Sequence, residues 1–502
     1  MMNPKNWLAA ASALSLMAGV AHADSNFANI KQNGSNNDAA VVQGPGSQNR
    51  AGTVDGVGAP GAVLQKGDDN ALAITQSGSK NSVGTLGEGF DQQGNRNRAT
   101  IEQASGTNRV DEVQQTDKIR FGSAARNTLD IFQGGSGGGN TIGSVYQTRT
   151  NTLFFNSDPG NSATIRQTSD GNLVDTLEQE GYRNRAELVQ SGGSGNHAGT
   201  VSQKGVSNRI ELTFIGAGNG TAGFAPNLLS GTAAFSLLTQ GDVKQTGIDN
   251  RIDGFVVTGN NNAFGFSQNG LVGNRIGGGV TGEANQFGVY QNGIFDVAAI
   301  GISGNRNEVY ISQEGSFNAA TATALGDDNG ILVTQRDNGN SAGIGITGGS
   351  NLVRLTQTGG SLVGNNALAN ITGTGNHADI EQTKSGLGGA NGLSLTLVGD
   401  YNNNNPDLSD FSGVAAAAAL SSGLRPGSIQ QTGSGNSITM DVGKPGSGSN
   451  GNVFAFLQDG GYNTIKGSVL GNSNQAVVVQ NGGSNFTSFS QIGSFNIIGV
   501  NQ

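Results

Sequence analysis

The feature that most constrains this chain is a row of asparagines at a fixed interval. Asn307, Asn318, Asn329, Asn340 and Asn351 follow one another every 11 positions, and Gln313, Gln335 and Gln357 recur at twice that distance. Self-similarity at a fixed period is the signature of a repeat architecture, in which each unit buries its apolar face only by stacking on its neighbours. One strand and one turn fit into each period. Because glutamine marks alternate periods, the structural unit is a pair of unequal strands.

The unit is clearest in Asn97-Arg98-Ala99-Thr100-Ile101-Glu102-Gln103, followed after a short link by Asn108-Arg109-Val110-Asp111-Glu112-Val113-Gln114. Alternation over such a run marks a half-buried strand. Asn97, Ala99, Ile101 and Gln103 then face inward, and Arg98, Thr100 and Glu102 face outward. The same division recurs in residues 184–190, with Ala186 and Leu188 inside, and in residues 376–382, with Ala378 and Ile380 inside.

The links read Gln-x-Gly-x-x-Asn: Gln32-Gly34-Asn37, Gln65-Gly67-Asn70, Gln92-Gly94-Asn97, Gln179-Gly181-Asn184, Gln313-Gly315-Asn318 and Gln480-Gly482-Asn485, with Gly493 in the same slot before Asn496. Glycine there permits the positive φ of a tight turn. Two strands and two turns close one coil of an all-β solenoid with two facing sheets and about 22 residues per coil. Stacked coils place like residues about 4.8 Å apart, so each buried amide can donate to one neighbour and accept from the other. A buried amide without partners would cost about 1–3 kcal/mol, which makes sense of the amides only if the ladder continues coil after coil. Roughly 17 to 21 coils and an axis of about 80–100 Å are expected.

Residues 474–480, 485–491 and 496–502 are three consecutive strands of this pattern, the last two closing on Gln491 and Gln502. The repeat is also under way by Gln32. No capping unit is read at either end, and open, complementary ends give head-to-tail contacts that do not close.

Composition alone would pass for low-complexity disorder, with 85 Gly, 34% hydrophobic and 6% aromatic residues, but periodicity decides against it. Residues 1–23 read as an export signal: Lys5 precedes an apolar run, and Ala21-His22-Ala23 has the form of a cleavage site. The solenoid is assigned to 24–502, with no transmembrane anchor expected. The chain has no cysteine, which excludes a disulfide scaffold. A net charge of -9 from dispersed acidic and basic residues leaves no basic patch for nucleic acid. Three regions lose the pattern, near 118–160, 216–243 and 386–428. They are expected to be loops or widened coils protruding from the solenoid, with a short helix at the alanine run 415–419.

The arrangement in Gln92-Gln93-Gly94-Asn95-Arg96-Asn97-Arg98-Ala99-Thr100-Ile101-Glu102-Gln103, repeated in residues 179–190, resembles the curlin repeat. That resemblance implies an amyloid fibre subunit of a Gram-negative bacterium, exported through a dedicated outer-membrane pore, nucleated at the cell surface by another subunit, and serving adhesion and biofilm matrix. The chain departs from the family in its length, in its irregular serine positions and in its insertions.

Catalytic and cofactor chemistry finds little support. His197 and His377 both stand in Gly-Asn-His-Ala, at the outward position that Arg98 and Arg185 hold elsewhere, and read as surface variants too far apart to share a metal. The glycine pattern at 343–348 lacks a following helix and is not read as a dinucleotide site. The segments Gly67-Asp68-Asp69-Asn70 and Gly326-Asp327-Asp328-Asn329 fall in the turn slot and read as turn chemistry, not calcium ligands. A monomeric solenoid adhesin would need caps, an anchor or a regular array of like residues. A β-helix polysaccharide enzyme would need convergent charges on neighbouring coils. Neither is found, and no cofactor is expected. The outward pairs Arg185 with Glu187 and Arg209 with Glu211 are expected to discourage sideways sheet association while leaving the axial ends free. Replacing these arginines with alanine should increase lateral bundling of fibres in electron micrographs; unchanged fibre width would contradict that role.

Overall fold

Strands of two to ten residues recur along the described residues because apolar residues alternate with polar ones between glycine-containing turns. In the computed structural model the described residues are 25–52, 62–85, 89–118, 126–150, 159–360, 363–405, 407, 410–444, 446 and 448–502. The export-signal reading at 1–23 lies outside them.

The strands form a parallel β-solenoid of about 18 turns with two facing sheets. Sheet 1 begins with Phe27–Ala28 and Ile30–Asn33 and ends with Ile497–Asn501; its first three rungs are each split into two short segments, so its 21 strands make 18 rungs. Sheet 2 runs from Asp38–Gln43 to Phe486–Ile492 in 17 rungs. The chain alternates strictly between the sheets, so each rung pairs in parallel with the strands one coil before and one coil after it.

Register is held by the inward columns. In sheet 2, Ile74, Ile101, Ile131, Ile165, Leu188 and Leu212 stand one above another, all at most 3% exposed. A one-residue slip would turn every such side chain outward, so the buried column fixes the pairing. Midway along, the core turns aromatic: Phe255, Phe264, Phe266 and Phe287 pack with ring centroids 4.9–6.3 Å apart. The register shifts between Ile210 and Leu212, and between Ile252 and Val256, beside these rings.

A second irregularity corrects the reading of residues 108–114. The pairing of Arg109–Asp117 with Thr141–Arg149 passes over Asp111 on one strand and Gly143 on the other, and in both strands the bracket from Asn108 to Gln115 and from Asn140 to Gln147 is one residue longer than that from Asn97 to Gln103. The added residue reverses the alternation, and Gln115, not Gln114, is the buried amide. Gln114 points outward and donates to Glu112 at 2.8 Å.

The three interrupted regions differ from expectation in different ways. Region 118–160 is not an excursion as a whole: Thr128–Gln133 and Thr141–Arg149 are regular rungs within it. Region 386–428 likewise retains the rung Gly392–Val398, and the alanine run forms the helix Gly413–Ser422. That helix does not protrude. With Phe411 and Leu424 it packs on Ala455, Val477 and Val479 of sheet 1's outer face. Residues 217–242 fold back in the same manner, where Leu229, Ala234 and Phe235 cover Tyr310. Phe235 stacks on Phe224 at 4.5 Å, and the Glu308 carboxylate accepts hydrogen bonds from the backbone N–H of Asn227 (2.5 Å) and Leu229 (2.7 Å). The outward residues Tyr310, Ala455, Val477 and Val479 of sheet 1 are apolar at these places, and a covered apolar surface is worth about 25 cal/mol per Å².

Truncating the buried column should cost stability in proportion to the cavity left. Ile165→Ala, between Ile131 and Leu188, is expected to cost about 2–5 kcal/mol, read as a lower guanidinium midpoint by circular dichroism. An unchanged midpoint would mean that the column does not bear on stability.

Candidate assembly interface

Four rows of amides run along the solenoid. The longest is in sheet 1, where Gln32, Gln65, Gln92, Gln115, Gln147, Gln179, Gln203, Gln245, Gln268, Gln291, Gln313, Gln335, Gln357, Gln382, Gln431, Gln458, Gln480 and Gln502 are joined without a gap. Each donates from Nε2 to Oε1 of the next, at 2.7–3.1 Å. The row has a direction: every amide donates toward the C-terminal end. Chains of hydrogen bonds pointing one way polarise one another, so alignment is worth more than isolated bonds.

Two asparagine rows occupy the turns. One precedes sheet 1 and contains Asn108, Asn307, Asn329, Asn351 and Asn496; the other precedes sheet 2 and contains Asn37, Asn70, Asn97, Asn184, Asn318, Asn340 and Asn485. Residues one period apart in sequence therefore stand on opposite edges. Along most of both rows an asparagine Oδ1 accepts the backbone N–H of the asparagine one coil on, as Asn307 does from Asn329 (3.0 Å) and Asn318 from Asn340 (3.0 Å). Their Nδ2 atoms donate to turn carbonyls, as in Asn307 to Gly326 (2.8 Å). Donors thus point toward the N-terminal end in the backbone-to-Oδ1 bonds, opposite to the glutamines.

The turn glycines Gly34, Gly67, Gly94, Gly181, Gly315, Gly482 and Gly493 all have φ between 92° and 128°. Space is a second reason for glycine at most of them. A Cβ on Gly34 would collide with the carbonyl oxygen of Gly67, and one on Gly181 with that of Gly205. At Gly482, next to the last rung, such a Cβ would meet nothing within 4 Å.

The fourth row is discontinuous. In sheet 2, Gln43, Gln76, Gln103, Gln133, Gln167 and Gln190 are joined at 2.8–3.0 Å. Phe214 then takes the position, and apolar residues hold it through Val257, Val280 and successive rungs to Val469. Gln491 restores the amide on the last rung, where its Oε1 is buried above Val469 without a partner.

One residue in the asparagine rows is a carboxylate. Asp296 stands between Asn274 and Asn318, accepting a backbone N–H from Asn318 (2.9 Å) as an asparagine would. Its Oδ2 occupies the place of an amide donor and is buried without a partner. Burial pushes its pKa up to about 6, with the hydrogen bonds from Asn318 pulling the other way. Nothing in the local sequence marks it, since Asp and Asn are interchangeable in a turn slot; only its place in the row does.

The remaining candidates resolve simply. Residues 343–348 lie within the strand Ser341–Thr347, with Ile344 and Ile346 buried. In the acidic turns, Asp68 accepts the backbone N–H of Ser35 (2.7 Å), and Asp328 pairs with Arg306 (2.6 Å). His197 is partly exposed and meets Asp175 at 2.8 Å. His377 departs from a surface variant: its side chain is only 12% exposed and burial lowers its pKa. Arg185 pairs with Glu187 (3.1 Å) and reaches Glu211 one rung on (3.9 Å), while Arg209 pairs with Glu211, so these outward charges form a line across rungs. Among the described residues no group of three or more His, Cys, Asp or Glu could hold a metal ion, and no helix is long and apolar enough to cross a membrane.

Such an arrangement defines a β-solenoid held by stacked amides. The family model of the curlin associated repeat matches residues 67–104, 304–336 and 326–359. Those stretches therefore carry the curlin associated repeat, and the motif at residues 92–103 lies inside the first of them. No curated protein matches the chain.

The ladder at Asp296 gives a signed pH dependence. Its folded-state pKa lies above the ordinary carboxylate value of 3.8, so as pH falls through about 6 toward 4 the folded state takes up a proton before the unfolded chain does. Stability should rise over that window, and above it the ionised carboxylate costs on the order of 1–3 kcal/mol. Asp296→Asn is expected to raise the unfolding midpoint at pH 7.5 and to remove this part of the pH dependence. Identical pH profiles for the two proteins would show that Asp296 does not titrate in this range.

Proposed function

We propose that this protein is a secreted structural subunit that polymerises through the ends of its solenoid into amyloid-like extracellular fibres of a Gram-negative bacterium, for adhesion and biofilm matrix. The observation that carries this reading is the state of the two end rungs. On the outer side of Ile30–Asn33 and Asp38–Gln43, and of Phe486–Ile492 and Ile497–Asn501, no strand pairs among the described residues. An unpaired strand edge is a template for another strand, and here it also carries unfinished amide rows.

The ends are complementary in chemistry as well as shape. At one end Gln32 offers an Oε1 acceptor; at the other, Gln502 offers an Nε2 donor. Exposed apolar residues stand beside both, Val42 58% exposed at the first end and Ile492 and Phe495 76% and 77% exposed at the last. Contacts between unlike ends propagate without closing. The curlin repeats support a structural over a catalytic role. A secretion pore and a nucleating subunit are partners proposed from the family alone.

After dilution from denaturant the protein should assemble into thioflavin-positive fibres with X-ray reflections near 4.7 and about 10 Å. A folded chain that stays monomeric at every concentration tested would remove this function.

A further inference from the structure

The two sheets do not contain the same number of rungs. Sheet 1 has 18 and sheet 2 has 17, so the described solenoid both begins and ends in sheet 1. The interior shows that the alternation between sheets is itself bonded. Gln65 of sheet 1 donates to the carbonyl of Asp38 in the preceding sheet 2 strand, Gln313 to that of Val297, and Gln480 to that of Thr464. At the last rungs, Thr487 of sheet 2 donates to Gln502 of sheet 1. The strand that continues this order after Ile497–Asn501 belongs in sheet 2.

Two ways of adding a second copy follow. With the copies in the same orientation, the incoming Ile30–Asn33 would sit on Ile497–Asn501, and Asp38–Gln43 would lie a full strand too far from Phe486–Ile492. The gap would be about 10 Å where about 4.8 Å is needed, and buried backbone groups on both sides would lack partners. With the incoming copy turned by half a revolution about the solenoid axis, its first strand instead fills the vacant place on Phe486–Ile492. Its second strand, Asp38–Gln43, then pairs with Ile497–Asn501, and the alternation is unbroken.

We propose that successive subunits are related by a half-turn about the fibre axis beyond the solenoid's own twist, so that the sheets exchange identity at each junction. This inference rests on the self-assembly reading above. It gives the isolated Gln491 a partner: its Nε2 meets the free Oε1 of Gln32 of the next copy, as Gln502 meets Gln43. All amide rows continue, with Asn26 on Asn485 and Asn37 on Asn496. Had sheet 2 kept an apolar residue at Gln491, as it does on the ten rungs before, the incoming glutamine would meet no amide there.

The absence of cysteine from the chain makes the test direct. Lys31, Val42 and Asn501 are exposed, outward-facing residues next to the row glutamines. The half-turn places Val42 of one copy beside Asn501 of the next; the unrotated stack places Lys31 there instead and leaves Val42 a full strand from Phe486–Ile492. In fibres of full-length protein, the Val42→Cys, Asn501→Cys variant should oxidise to intermolecular multimers on non-reducing gels, and the Lys31→Cys, Asn501→Cys variant should not. The opposite pattern, or fibres in which neither pair forms a disulfide, overturns the half-turn while leaving self-assembly standing. Failure of the cysteine-free protein to form fibres removes the self-assembly reading instead. Images of unmodified fibres give an independent check. Both folded-back segments lie on sheet 1, so they should alternate between opposite sides of the fibre, with a repeat of two subunits; all on one side would overturn the proposal.

Discussion

A primary amide buried in a protein interior carries two donors and two acceptor sites, and few places can satisfy them all. Here the solution is a neighbour of the same kind along the axis. The glutamine row of sheet 1 passes one bond from each coil to the next, and the asparagine rows brace the turns with backbone and side-chain bonds of the reverse direction. The interaction has no natural terminus. Any coil is incomplete by itself, and a stack of coils is incomplete at its two ends and nowhere else. The length of the chain, its tolerance of glycine and the chemistry of its ends all follow from that requirement.

Because the bonds run between coils, the turns between strands tolerate long additions. Gln203 bonds to Gln245 across residues 217–242 at 2.9 Å, and Gln382 to Gln431 across the helix-bearing segment at 2.7 Å, each as short as bonds between adjacent regular coils. Loop-closure entropy rises only slowly with length, so the cost of such additions is modest. Both segments fold onto the outer face of sheet 1, where outward positions have become apolar. Tyr310 and Val477 both stand three residues after their bracket asparagines, the outward position that Thr100 holds after Asn97, and Val479 stands where Glu102 does. Folding back removes apolar surface that would otherwise face solvent or another sheet.

Much of this was legible in the sequence. The bracket of asparagine and glutamine six residues apart, with small apolar residues between, gave the inward face of residues 97–103, 184–190 and 376–382 and the all-β solenoid with two sheets. Other features could not be read that way. In residues 108–115 a single extra residue lengthens the bracket and exchanges Gln114 for Gln115, because alternation is periodic in two and one insertion reverses it. Regions 118–160 and 386–428 hide regular rungs, since Asn127, Gln133 and Asn391 keep their brackets while flanking residues break the wider period. The direction in which the two long segments fold depends on side chains of distant coils, which no local pattern records.

The interrupted glutamine row of sheet 2 separates what stacking needs from what an end needs. Within the solenoid, the position after Gln190 is held by Phe214 and then by aliphatic residues, and the coils stack without loss of register beyond the local bulges. Gln190, last of its run, turns its Nε2 to the carbonyls of Leu173 and Asn196 at 3.1 Å. An apolar residue there buries well and leaves nothing unpaired, so inside the stack it is an adequate substitute for an amide. At an open end the balance changes. An exposed apolar column attracts any apolar surface in any orientation, whereas an amide with one free site accepts only a partner in register and pointing the right way. Gln491 has its Oε1 buried and unpaired against Val469, a cost within the monomer that apolar residues on the ten preceding rungs avoid. Its placement is intelligible as a cost borne by the folded chain for the geometry of the next contact.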